Sequence, residues 1–348
     1  MAILNEVSLY ERVRSEIGSF LQELGLGCDT VELNRELCEG LVDVVDLLSD
    51  YYEEGSHLYP SIVLFDDPQF LKMIPNKNYT FYEGDIKSKQ IKLCLKMCAP
   101  LAVNGWNIFL QVRGASMSWG MITGELRETS LTLPYQILKD KEPICKVAII
   151  SNIGMKSVAM VSSGGECNCI IHLSLTNSEK SSSSDISNFF KCALEKCKIE
   201  SEEFRGYFRK VVNKALHTGH GNLFGVIEDG ESIPELLKEG VDLTSIPIDF
   251  PFTYNSIISE TDPNSKVELN TELKMMSSLA VSMMNHDGIT IFTNTGKIVG
   301  YHYIVDNKVI ADDVIVGGAR TKAFYAMVQS NQFKGVFMRK QEGDTKFE

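Results

Sequence analysis

No stretch of the 348-residue sequence reaches the roughly 18 consecutive apolar residues that a membrane-spanning helix needs. Charges interrupt even its richest apolar runs, so no membrane partner is expected. Runs of lysine and arginine are missing as well. The chain carries 34 basic and 46 acidic residues, and its net charge of −12 repels a phosphate backbone, which argues against a nucleic-acid partner. The start, Met1-Ala-Ile-Leu-Asn-Glu, lacks the basic and long apolar regions of a secretory leader, so a cytoplasmic location is expected. There is no Walker-type Gly-Lys-Ser/Thr, and Gly114-Ala-Ser-Met-Ser118 is not a Gly-x-Ser-x-Gly elbow, which disfavours P-loop and serine-hydrolase chemistry. No internal repeat of fixed period occurs, so a solenoid or propeller is disfavoured.

Nine cysteines without an exported context read as reduced small hydrophobes. Cys167-x-Cys169-x-x-His172 offers three soft ligands to zinc, but no fourth is evident. The alternation from Cys167 to Leu175 predicts a strand instead, with both thiols on one buried or half-buried face.

What is present fits two cores of about 150 residues each. Helical periodicity covers residues 7–24 and 31–52, and short β-rich runs follow, among them Ser61-Ile-Val-Leu-Phe65 and Trp106-Asn-Ile-Phe-Leu-Gln-Val112. Helices are predicted over 185–197 and 201–217, with the domain junction near Lys198. The expected organisation is an N-terminal α+β domain, 1–198, with a possible regulatory or sensor role, and a C-terminal α/β domain, 199–348, with a mixed sheet. In the second domain, Asn222-Leu-Phe-Gly-Val-Ile227 predicts a strand, and 232–238 and 271–284 predict helices. Strands at 288–293 and 297–305 flank Asn294-Thr-Gly296, where glycine supplies a positive φ. A helix over 320–329 and a strand at 335–338 complete the pattern.

Two junctions carry groups suited to chemistry. Asp287-Gly288 sits where a helix hands over to a strand, which suits a divalent metal or a ribose hydroxyl. Gly317-Gly318-Ala319-Arg320-Thr321-Lys322 sits where a loop opens a helix. Glycines there let backbone approach a phosphate, and first-turn amides with Arg320 and Lys322 would hold it. A cation at a helix start opposes the local dipole, so Arg320 needs a counter-ion, either an anionic ligand or a nearby carboxylate. His217 and His220 flank the start of this core and could approach a ligand or cap a helix end.

Four stretches together resemble the diadenylate cyclase family. Asn285-His-Asp-Gly-Ile-Thr-Ile-Phe292 resembles its His-Asp-Gly-Ala motif and the strand that follows, and Gly318-Ala-Arg-Thr-Lys-Ala-Phe324 resembles its Gly-Thr-Arg-His-Arg-Ala-Ala motif. Gly219-His-Gly-Asn-Leu-Phe-Gly-Val-Ile227 and Lys334-Gly-Val-Phe-Met338 resemble its first and last core strands, so the likeness covers about residues 200–348. It implies a mixed sheet flanked by helices, ATP as substrate and Mg²⁺ or Mn²⁺ as cofactor. Two domains would meet face to face in a homo-oligomer, each 3′-hydroxyl attacking the other's α-phosphate to give cyclic di-AMP and pyrophosphate. The implied catalytic residues are Asp287 and Gly288. The implied nucleotide-binding residues are His286, Gly317, Gly318, Ala319, Arg320, Thr321 and Lys322, with Asp287 and Glu342 on the metal. Ala319, Thr321, Lys322 and Ile289 depart from the family's residues, and Arg339-Lys-Gln-Glu342 replaces its Ser-Glu-Glu. The alternative expectation is a catalytically silent nucleotide or cyclic-dinucleotide sensing module of the same fold.

Overall fold

The computed structural model describes residues 8–53, 56–73, 77–125, 127–140, 143–154, 156–173, 182–306, 318–341 and 343–348. Two compact units divide the chain: Met1–Leu126 with Thr132–Asn177, and Arg127–Leu131 with Ser178–Glu348.

The first unit is built on a seven-stranded sheet. Its order is Lys77–Asp85, Ser116–Thr123, Asn107–Arg113, Ser61–Phe65, Val147–Gly154, Ser157–Ser162 and Asn168–His172. Ser61–Phe65 and Asn107–Arg113 run parallel, and the remaining neighbours are antiparallel. Side chains alternate between faces along each strand. Ile62 and Leu64 therefore meet the helices Leu9–Leu24, Val31–Ser49 and Ser88–Cys98, whereas Val63 and Phe65 meet Leu133–Lys139. Trp119 is only 4% exposed and belongs to the first of these cores. Cys167 and Cys169 are half-buried and pack against the same core, in line with the strand reading.

The second unit holds a mixed sheet, the coarse architecture expected from the sequence. Its main path is Leu237–Lys238, Lys297–Val305, Ile289–Thr293, Asn222–Ile227, Gly335–Arg339 and Thr345–Phe347. Asn222–Ile227 and Ile289–Thr293 are parallel, and the other pairs are antiparallel. On one face Phe224, Phe292 and Phe337 pack with Phe189, Phe204 and Phe208 from the helices Ser182–Ala193 and Glu202–Thr218. Helix Glu202–Thr218 starts where the sequence predicts, because Ser201 Oγ accepts from Phe204 N at 3.1 Å and two glutamates occupy its first turn. The opposite face is aliphatic, with Leu223, Ile289, Ile291 and Val336 under the helix Ala319–Ser330. Gly225 is needed on that face, since a Cβ would lie 2.7–2.9 Å from the Phe333 ring and the Met327 methyl.

Three sequence expectations change. The compact units divide near residue 178 instead of near Lys198, because Phe189, Phe190, Ala193 and Leu194 sit in the second unit's aromatic core. Residues 232–238 form no helix; the segment turns and adds the short strand Leu237–Lys238 to the sheet edge. The helix predicted over 271–284 is Pro263–Met284. It begins earlier because Asp262 accepts from Ser265 N at 2.8 Å and Pro263 occupies its first turn. A further helix, Phe250–Ser259, precedes it.

Candidate functional site

Strand register gathers the selected residues. Phe224 is level with Thr290, Asn222 with Arg339, and Ile289 with Tyr303. The segments His220–Gly221, Asp287–Gly288, His302–Tyr303 and Arg339 therefore share one end of the second sheet, on strands spaced about 4.8 Å apart. Amides stitch this end together. Asn222 Nδ2 donates to Met284 O at 2.8 Å and Asn285 Nδ2 donates to Thr218 Oγ1 at 2.7 Å, fixing two helix ends beside the strands. Arg339, 8% exposed, donates through Nη1 to Gly219 O at 3.1 Å.

Asp287 is exposed at the junction between helix Pro263–Met284 and strand Ile289–Thr293. Its Oδ1 accepts from Gly288 N at 3.0 Å. Gly288 has φ +105°, and a Cβ there would stand 2.8 Å from Tyr303 O and 2.9 Å from His302 C, so only glycine fits. The next residue, Ile289, points into the aliphatic core at 2% exposure; its bulk is spent on packing, away from the exposed carboxylate.

Helix Ala319–Ser330 opens from Gly318, which provides no side-chain cap. Ala319 is exposed in the first turn, and Thr321 and Lys322 are half-buried. Arg320 reaches back across Gly221 and donates through Nη1 to His220 O at 3.4 Å. Among the described residues, neither Arg320 nor Lys322 has a carboxylate within ion-pairing distance. Of the selected residues, Gly317 and Glu342 lie outside those described. His220 contributes its carbonyl to this arrangement, and His217 lies in the last turn of helix Glu202–Thr218.

Sequence reasoning did not single out His302. It sits within strand Lys297–Val305 with φ +62°, a left-handed conformation rare outside glycine. Its ring meets the His286 ring edge-on with centroids 4.4 Å apart. No local residue pattern announces a left-handed histidine inside a strand; the register shift between Ile289 and Ile291 in the paired strand creates it.

Among the described residues, no three His, Cys, Asp or Glu side chains are grouped so as to chelate a metal by themselves. A magnesium-like ion shared with phosphates needs only one or two protein carboxylates, and exposed Asp287 can supply one. The first unit has an open cleft of about 380 Å³ lined in part by Asp66, Asp67 and Arg113, remote in sequence from all of these groups. No helix among the described residues is long and apolar enough to cross a membrane. Compared with family models, curated proteins and solved structures, the chain matches none, so the reading of the site rests on its own geometry and motifs.

Proposed function

We propose that the second unit binds ATP at this sheet end and, facing a second copy, condenses two ATP into cyclic di-AMP with release of two pyrophosphates. Arg320 is the observation that supports it most. Its guanidinium stands at an uncapped helix start, held by a carbonyl and with no carboxylate partner among the described residues. A phosphate would complete it. In this reading Arg320, Lys322 and the amides around Gly318 and Ala319 hold phosphate oxygens, and Gly288 keeps the backbone close to the sugar. Asp287 orients the attacking hydroxyl and provides the carboxylate for a Mg²⁺ or Mn²⁺ ion, whose charge would screen the phosphates when bound.

The test is incubation of the full chain with ATP and either metal, with products separated by mass. Cyclic di-AMP and pyrophosphate in a one-to-two ratio, at a rate per molecule that rises with protein concentration, is the expected result. ATP retained without product would assign the unit to nucleotide sensing without turnover. Neither binding nor product at any concentration would sink both readings.

A further inference from the structure

Two imidazoles meet a single backbone oxygen. His286 Nδ1 lies 3.1 Å and His302 Nδ1 2.6 Å from the Asp287 carbonyl oxygen. A carbonyl oxygen only accepts, and its two lone pairs suffice for two donors. Bare nitrogens facing it at those distances would repel, so each Nδ1 carries a hydrogen. Each neutral ring is then left with its lone pair at Nε2, on the side away from the carbonyl. The backbone that carries the second imidazole is tightly constrained. His302 is held at φ +62° within its strand, and Gly288 packs without room for a Cβ against the His302 backbone.

We propose that His286 and His302 form the hydroxyl-reading side of the site, their Nε2 atoms accepting from the sugar hydroxyls of a bound nucleotide. This inference rests on the nucleotide reading above. The strand bearing His302 and the strand following His220 lie on opposite sides of the Asp287 strand. Two strand spacings, about 10 Å, thus separate the imidazole end from the guanidinium end. One nucleotide with its phosphates can touch both.

Two measurements on the full chain test it. Imidazole nitrogen NMR of the free protein should show His286 and His302 as Nδ1–H tautomers. Calorimetry with Mg²⁺ should show ATP binding about a hundredfold tighter than 2′,3′-dideoxy-ATP, about tenfold for each of two hydroxyl hydrogen bonds. His302→Asn tolerates a left-handed φ and should reduce that preference to about tenfold, leaving dideoxy-ATP affinity unchanged. His286→Ala, at an exposed position, provides the same comparison where His302→Asn perturbs folding. Nε2–H tautomers would overturn the inference at any affinity. Equal binding of ATP and dideoxy-ATP would overturn it and leave the nucleotide reading standing, whereas binding of neither would overturn both.

Discussion

The two ends of the second sheet hold their charges differently. At the end formed by Ile227, Thr293, Lys297 and Gly335, three lysines face three carboxylates. Lys196 and Lys334 both grip Glu228, the latter at 3.1 Å, and Lys297 stands 3.1 Å from Asp229 and 3.7 Å from Asp249. The ammonium groups of Lys196 and Lys334, with the Asn294 amide beside them, push the Glu228 carboxyl down from its ordinary 4.5 to about 2. At the other end, Asp287 turns onto its neighbour's amide and Arg320 onto a carbonyl. Charges at the first end neutralise one another, whereas Asp287 and Arg320 are held by backbone groups and keep their sign.

Substitutions at the two ends can break or sharpen this contrast. The largest effect is expected from Asp287→Ala, which should lower cyclic dinucleotide formation at least about a hundredfold. Its unfolding free energy in urea should stay within about 0.5 kcal/mol of the parent, because an exposed carboxylate bonded to its own neighbour contributes little to folding. A large loss of stability would mean that this end fastens the fold too. Gly288→Ala should cost about 2 kcal/mol or more in chemical unfolding, since the new methyl meets rigid backbone at a left-handed φ. Arg320→Ala should weaken ATP binding by about tenfold or more in calorimetry with little change in melting temperature. Glu228→Gln acts at the opposite end, with its full cost above about pH 4.5 and a cost that vanishes in acid. A carboxyl with a depressed folded pKa contributes stability above 4.5 that is lost as pH falls toward about 2. The variant should therefore show a flatter stability profile between those pH values and unchanged ATP affinity; an altered affinity would show that the two ends are coupled.

Much of the second unit was legible in its apolar runs and turn residues. The strands Asn222–Ile227 and Lys297–Val305 fall where alternation and the Asn294-Thr-Gly turn predict them. The two motif junctions also fall at element ends, with Asp287 before a strand and Arg320 in the first turn of a helix. Phe250–Ser259 went unread although Asp249 and Pro251 are start signals, because its Phe-Pro-Phe-Thr-Tyr core has no helical periodicity of its own. The unit boundary was misread for a related reason. Whether Phe189 and Phe190 serve one core or another depends on long-range partners, here Phe224, Phe292 and Phe337 for Phe189 and Phe208 for Phe190. His302 was illegible because its conformation follows from a register shift between paired strands, which no single segment encodes.

The span of chain behind each half of the candidate site has a consequence for folding. The bond from His302 to the Asp287 carbonyl closes over 15 residues, whereas that from Arg320 to the His220 carbonyl closes over 100. Short hairpins form in microseconds, and longer closures carry a larger entropic cost. The contact of His302 with the Asp287 carbonyl therefore carries the smaller closure cost, and the contact of Arg320 with the His220 carbonyl the larger one.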